Sequence, residues 1–364
     1  MKYDFLIVGA GMFGSTFARL ATDAGYSCII IDKRTHIAGN CYSENKDGID
    51  IHKYGPHIFH TNNKEVWDFI NRFGYFNNYQ HKVKVNYENK IYSFPINLFT
   101  LNQIFGIQNP TQASIYLKSV RVKNDNPKNL EEWVLDKVGW EIYETFVRGY
   151  TTKQWNKHPK ELPASIIKRI PIRLNFNDNY FNDTYQGVPI SGYTNLFNNM
   201  LDGIPVELGI DYLTQRDRYD SVARAVVYTG PIDEFFDYEF GELEWRSLRF
   251  EELYMKNKDF QGTSTINYTS ENVPQTRIVE YKHFSNPNIE NTVIVKEYPQ
   301  DHMVGLEKFY PISTDRNKDI LAKYKRLINT DKYIFGGRLA EYQYYDMHQV
   351  IASAMQRYRT CVNF

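Results

Sequence analysis

The chain divides into segments of different hydrophobic period. Tyr3 to Val8 is a short apolar run, branched and aromatic, that reads as a buried strand. Ser15 to Ala24 has the composition of a helix, and Cys28 to Ile31 reads as a second buried strand with Asp32 at its tip. Val66, Phe69, Ile70 and Phe73 recur at helical spacing and predict a helix within 63–75. Residues 81–93 alternate and turn at Glu88-Asn89-Lys90, a hairpin signal. From Leu98 to about Gln154 the pattern is mostly helical. Residues 205–230 return to strand-like text ending in Ala225 to Val227, and 243–298 alternate repeatedly, which predicts a meandering antiparallel sheet. Lys332 to Phe335 predicts a last strand, followed by Gly336-Gly337-Arg338 and a helix from about Asp346.

This order predicts an α/β protein whose chain leaves a Rossmann-like cofactor domain and re-enters it. The expected divisions are 1–80, 190–240 and 325–364 for that discontinuous domain, 95–165 for an inserted α-helical domain, and 81–94, 166–189 and 241–324 for an antiparallel sheet on the substrate side. Long insertions at loop positions are thermodynamically tolerable.

Between the first strand and helix lies Gly9-Ala10-Gly11-Met12-Phe13-Gly14. Gly9 allows the tight turn, Gly11 lets a pyrophosphate approach the backbone, and Gly14 lets helix and strand pack closely. The helix N-terminus offers unpaired N–H groups to phosphates, and Asp32 stands about where an acid takes ribose hydroxyls. A bare glycine motif is weak, but strand, helix, second strand and terminal acid together point to dinucleotide binding. The continuation into Arg34–Asn40 (RTHIAGN) resembles FAD enzymes of the glutathione-reductase-like superfamily more than NAD dehydrogenases.

Composition narrows the class. The 364 residues carry 43 basic and 43 acidic side chains, a formal net charge of zero, which argues against bulk electrostatic binding of nucleic acid. Cys28, Cys41 and Cys361 show no paired pattern and no metal-ligand spacing, as in a reducing cytosol. No apolar stretch approaches the length of a membrane span. With the first strand starting at Tyr3, no signal peptide is expected, and the protein is expected to be soluble and cytoplasmic. Tyr at 29 and Phe at 23 are numerous enough to supply a stacking pocket, although only their positions within motifs can decide that.

Four motif groups carry the candidate chemistry. Residues 51–61 (IHKYGPHIFHT) form a rigid Gly-Pro turn flanked by His57 and His60, too few ligands for a metal. Residues 149–155 (GYTTKQW) and 161–173 (ELPASIIKRIPIR) interleave aromatics with Lys168, Arg169 and Arg173, and arginine forks match phosphate oxygens bidentately. Asn179-Tyr180-Phe181, Tyr185-Gln186-Gly187 and Val273–Arg277 (VPQTR) follow. Phe309-Tyr310-Pro311 and 336–347 (GGRLAEYQYYDM) end the series, the last with glycines before a helix.

With these segments in hand the chain resembles, essentially end to end, UDP-galactopyranose mutases of the bacterial type. The resemblance rests on GAGMFG, YGPHIFHT, FPINL, GYTTKQW, ELPASIIKRIPIR, DNYFND, YQGVPISGYT, VPQTRI, EYKHF, FYPI and GGRLAEYQYYDM. It implies an FAD domain, a helical domain and a six-stranded sheet domain, usually in a homodimer. It also implies interconversion of UDP-galactopyranose and UDP-galactofuranose for cell-surface polysaccharide. There is no net redox change, yet the FAD must be reduced by NAD(P)H or another reductant. Flavin N5 attacks the anomeric carbon, UDP leaves, and the sugar opens through an iminium and recloses.

By the same resemblance, Arg169 matches a mobile-loop arginine and Arg277 a fixed one, together gripping the diphosphate, with His60 as a further catalytic residue. Gly9, Gly11, Phe13, Gly14, Asp32, Lys33 and Asn40 match the dinucleotide side. His57, Ile58, Gly337, Arg338 and Met347 match positions near the flavin. Phe146, Tyr150, Thr151 and Trp155 match the uracil and substrate channel; Tyr180 and Phe181 match uridine contacts. His81, Asn267, Tyr310, Tyr344 and Asp346 match the diphosphate and sugar–flavin junction, the last two on both the cofactor and substrate lists. Ala38 stands where glycine is usual, His81 where asparagine occurs, and Phe309 where tyrosine is frequent. The alternatives are the same reaction on UDP-N-acetylgalactosamine, a flavin oxidoreductase of amine-oxidase type, or a flavoprotein that only binds a nucleotide or partner.

Overall fold

A computed structural model of the chain describes residues 2–168, 170–256, 259–285 and 288–362. Its centre is a five-stranded parallel sheet in the order Tyr333–Phe335, Ala223–Tyr228, Tyr3–Val8, Cys28–Asp32, Val206–Leu208. The strands are buried on both faces, which is why they read as continuous apolar runs rather than alternating ones. Helix Met12–Asp23 and the C-terminal helix Met347–Cys361 cover one face through Phe13, Phe17, Ala18, Ala21 and Ala354. Helix Asp315–Leu327 covers the other through Ile320 and Tyr324, packed with Tyr212, Tyr228 and Phe235.

The second sheet has seven strands, ordered Tyr310–Pro311, Trp245–Met255, Thr292–Asp301, Arg277–Glu280, Thr265–Tyr268, Val83–Tyr87, Lys90–Phe94. It exceeds the expected six by a two-residue edge strand and is not a simple meander. Trp245–Met255 pairs with Thr292–Asp301, and Thr265–Tyr268 runs parallel to Val83–Tyr87. The helical insertion comprises Leu98–Phe105, Pro110–Val120, Leu130–Tyr143, a π-helical turn at Glu144–Arg148, and Gly149–Trp155. Its core of Leu101, Leu117, Val134, Val138 and Ile142 continues onto Val83, Val85 and Phe94 of the sheet.

Other local expectations need correction. The first helix starts at Met12 rather than Ser15, because the glycine turn feeds directly into it. The helix expected over 63–75 is regular only over Lys64–Ile70, capped by the Asn63 side chain on the Glu65 and Val66 amides. Within 205–230, Leu213–Gln215 and Arg216–Asp220 are helical. The Glu88-Asn89 hairpin stands, with both residues at positive φ (50° and 64°).

Candidate functional site

A cavity of about 1750 Å³ runs from the carboxyl ends of the parallel strands to the sheet and helical insertion. Open parallel sheets place their ligand crevice at such strand ends. Gly9, Gly11, Phe13, Asp32, Lys33 and Asn40 line the Rossmann end, as do Gly337, Arg338 and Met347. Gly14 does not. A Cβ there would fall 2.0 Å from the Gly9 carbonyl oxygen and 2.8 Å from Ile7, so this glycine serves helix–strand packing. At Gly11 the nearest atom to an added Cβ is Gly39 Cα at 3.7 Å, an ordinary contact. The protein leaves room over Gly11, as a cradle for a pyrophosphate requires.

Asp32 is fixed by the turn itself. Its Oδ2 accepts from the Ala10 amide at 2.7 Å and its Oδ1 from the Arg34 amide at 2.8 Å. Arg34, which the motif reading did not single out as a site residue, pairs with Glu307, donates to Asn40 Oδ1 at 2.9 Å and lies over the Tyr54 ring at 4.4 Å.

The middle of the cavity is a ring of histidines and aromatics. His57 sits in the Gly-Pro turn, its ring nitrogen Nδ1 donating to the Gly55 carbonyl at 2.7 Å. Burial, with His52 beside it, pushes His57 down to about 3, so it is a neutral imidazole. His81 is likewise pushed down to about 3, by burial first and then by Arg277 and His60. Its Nδ1 lies 3.2 Å from the Tyr79 hydroxyl. His60, on the strand Phe59–Thr61, stacks on Phe181 at 3.7 Å and meets Asp183 and Asp346 on its two sides. Ile58 lines the same wall.

The far end is aromatic around one cation. Arg277 opens the strand Arg277–Glu280, and its Nε donates to Glu297 Oε2 at 2.6 Å. Burial works against the guanidinium, but the Glu297 carboxylate, with Tyr150 and Tyr310 nearby, holds it well above its ordinary value. Asn267 on the neighbouring strand pairs with Arg277 in register. Phe146 lies on the π-helical turn, and Tyr150, Thr151 and Trp155 lie on the helix that follows; all line the cavity. Trp155, Tyr310 and Tyr344 succeed one another at 6.1 and 5.9 Å between centroids, and Arg338 lies 4.8 Å from the Tyr344 ring. Tyr180 and Phe181, which also line the cavity, meet edge to face at 5.0 Å. Asp346 caps the final helix. Arg169, the expected mobile-loop arginine, lies outside the described residues.

Three supports escaped the motif reading. Glu297 shares the inward phase of Val293 and Val295, and that buried parity was a usable signal. Asp183 ends the DNYFND segment but was given no role there. Lys153 donates to four carbonyls, of Tyr268, Ser270, Val273 and Gln275, at 2.8–3.1 Å. It thereby ties the helix bearing Tyr150 and Trp155 to the turn between the strands bearing Asn267 and Arg277.

A parallel sheet with a glycine turn, joined by one cavity to a charged and aromatic chamber, defines a dinucleotide-binding enzyme of Rossmann type. A family model for an NAD(P)-binding Rossmann-like domain matches residues 7–73, and one for UDP-galactopyranose mutase matches 145–344. The chain is 41% identical to a dTDP-fucopyranose mutase of Escherichia coli, covering 96% of each chain. It is 40% identical to a probable UDP-galactopyranose mutase of Klebsiella pneumoniae, covering 97% of this chain and 93% of that one. The fold matches a crystal structure of reduced UDP-galactopyranose mutase with a TM-score of 0.78 at 13% identity, over 99% of this chain and 95% of that one. The chain belongs to the UDP-galactopyranose mutase family and is a mutase, an isomerase, rather than an oxidoreductase of amine-oxidase type. No helix among the described residues is long and apolar enough to cross a membrane.

Proposed function

We propose that the protein interconverts UDP-galactopyranose and UDP-galactofuranose, with reduced FAD in the Rossmann end of the cavity. The observation that carries this reading is the single cavity joining the open cradle over Gly11 to the Arg277–Glu297 pair. The strand-end amides, Asp32 and Asn40 would hold the dinucleotide, and His57 and Arg338 would border its ring. When bound, reduced flavin supplies an electron-rich nucleophile toward the anomeric carbon.

The chain's own residues do the rest. Arg277 opposes charge on the departing diphosphate, and Glu297 fixes its direction through Nε. Tyr150, Trp155, Tyr180 and Phe181 offer faces for the base and exclude water. His57 and His81, both neutral, present hydrogen-bonding edges without competing as cations for the diphosphate. Action in the cytoplasm as a homodimer belongs to the same reading, and the dimer is checked by light scattering.

The 41% identity to the E. coli dTDP-fucopyranose mutase favours a second reading, the same ring interconversion on dTDP-fucose. Incubation of the dithionite-reduced holoenzyme with UDP-galactofuranose, dTDP-fucofuranose and UDP-N-acetylgalactofuranose separates them. Conversion of the first without oxidant consumption supports the primary reading. Conversion of dTDP-fucofuranose alone replaces it with the second, and absence of turnover on every substrate overturns both.

A further inference from the structure

His60 is held from behind by a residue outside the cavity wall. Asp183 precedes the strand Tyr185–Gly187, which pairs antiparallel with Phe59–Thr61 so that His60 lies opposite Gln186. Asp183 Oδ2 lies 2.5 Å from His60 Nδ1, and its Oδ1 accepts from Asn62 Nδ2 at 2.5 Å. The Asn62 bond orients the carboxylate, and a ring nitrogen facing a carboxylate at that distance carries the proton.

The imidazole, buried in a residue only 7% exposed, has little freedom to flip. Phe181 stacks on its face at 11°, and the His348 ring closes on it at 4.8 Å. Nε2 therefore faces the other way, 3.9 Å from Asp346 Oδ2, and both His60 and Asp346 line the cavity.

We propose that Asp183 is a positioning residue of the mutase reaction, holding His60 with Nδ1 protonated and Nε2 turned to the cavity as the proton-exchanging atom. This rests on the mutase reading above. Ring contraction turns one sugar hydroxyl into a ring oxygen and turns the old ring oxygen into a hydroxyl. One proton leaves the first oxygen and one arrives at the second, so a single group that gives and recovers a proton balances the step without a co-reactant. The ring opens before it recloses, so Nε2 gives a proton to the old ring oxygen first and recovers one from the attacking hydroxyl at reclosure. The Asp183 carboxylate stabilises the imidazolium that gives it. The groups facing His60 fit this task. Asp183 and Asp346 lie at its two ring nitrogens, while His81 and His348, both pushed down by burial, stay neutral beside it.

Asp183→Asn in the reduced holoenzyme preserves shape and an acceptor for Asn62 but removes the charge. The expected result is a fall in kcat of about 10²-fold with KM nearly unchanged. The alkaline limb of the kcat profile should move down by about one to two pH units, because the donating imidazolium has lost its anion. Asp183→Glu should recover part of the activity. Wild-type kcat and an unmoved limb in Asp183→Asn would leave Asp183 as a mere strap between segments and overturn the proposal, whatever the melting temperature does. If Asp183→Asn does not fold, ¹⁵N spectra of the wild-type imidazoles decide, with His60 assigned by its loss in His60→Gln. Protonated Nδ1 with bare Nε2 supports the assignment, and the opposite tautomer overturns it. Absence of turnover on every nucleotide sugar alongside protonated Nδ1 would defeat the mutase reading while leaving the Asp183–His60 arrangement intact.

Discussion

Removing the Arg277 guanidinium isolates the energetics of the chamber's interior. Glu297 is 1% exposed; its Oε2 is taken by Arg277, and its Oε1 has no hydrogen-bond partner among the described residues. Arg277→Met keeps most of the apolar stem but strands that carboxylate, and breaking a buried pair from one side costs about 3–5 kcal/mol. Burial already pushes the Glu297 carboxyl above its ordinary 4.5, and only Arg277 opposes this. Without Arg277 the folded carboxyl titrates far above the unfolded one. Below the unfolded value both states are protonated and the variant keeps its full stability. As pH rises, the unfolded state ionises first, and stability falls until the folded value is passed. The stability lost across that rise is the cost of the broken pair, about 3–5 kcal/mol. Urea midpoints at pH 5 and pH 8 read this directly. Arg277→Met should lose far more at pH 8, and Arg277→Met/Glu297→Gln should recover most of the loss and flatten the dependence. A single variant indifferent to pH, or a double variant no better than the single, refutes the reasoning.

The two glycines of the turn should separate cleanly. Gly11→Ala should leave the urea midpoint of the cofactor-free protein nearly unchanged and weaken FAD binding in fluorescence titration, whereas Gly14→Ala should destabilise the fold itself, its Cβ meeting the Gly9 carbonyl at 2.0 Å. Ala38 is fully buried at φ 73°, a left-handed conformation that costs a non-glycine residue about 1–2 kcal/mol. Ala38→Gly should therefore raise the unfolding free energy read from urea curves by about 1 kcal/mol at most, after the entropy that glycine returns to the unfolded chain, and a loss would contradict the strain. His57 and His81, held near 3 against an ordinary 6.5, refuse protons that the unfolded chain accepts, so stability should fall as pH drops from about 6.5 toward 3. Melting curves of His81→Gln should show a shallower acid fall than wild type.

What was legible in the sequence was local. The strand–turn–helix–strand unit from Tyr3 to Asp32 is written in contiguous periods and glycines, and the Glu88-Asn89 hairpin in two residues that tolerate positive φ. Arg216–Asp220 was not legible, because RDRYD shows no apolar repeat and its helix is decided by Tyr219 reaching the core. Nor was the order of the second sheet, since Thr265–Tyr268 finds Val83–Tyr87 only after the helical insertion has intervened. In the site, the candidate residues other than Gly14 and Arg169 do line the cavity. Lys168 and Arg173 of the basic segment do not, Arg173 donating instead to the Asn177 and Asn179 carbonyls. Their supports escaped, because a residue such as Asp183 acts through a partner 123 positions away.

The two ends of the cavity are built by different means, and the difference bears on which nucleotide sugar is accepted. The Rossmann end is shaped by main chain: the glycine turn, the Ala10 and Arg34 amides on Asp32, and the helix N-terminus. The substrate end is shaped by side chains from distant segments, chiefly Phe146, Tyr150, Trp155, Tyr180, Phe181 and Tyr310. Aromatic faces stack on any base, so they distinguish thymine from uracil weakly. An apolar pocket rejects one extra methyl by only about 10- to 200-fold, whereas a site that hydrogen-bonds a hydroxyl rejects its absence by about 10⁴–10⁵-fold. Steep discrimination between UDP-galactose and dTDP-fucose must then come from the ribose 2′-hydroxyl or the sugar 6-hydroxyl, which the second substrate lacks. Comparing kcat/KM across UDP-galactose, dTDP-galactose, UDP-fucose and dTDP-fucose assigns the discrimination to one of these hydroxyls. A preference resting on the thymine methyl alone would show that the base is read by an edge contact rather than by these ring faces.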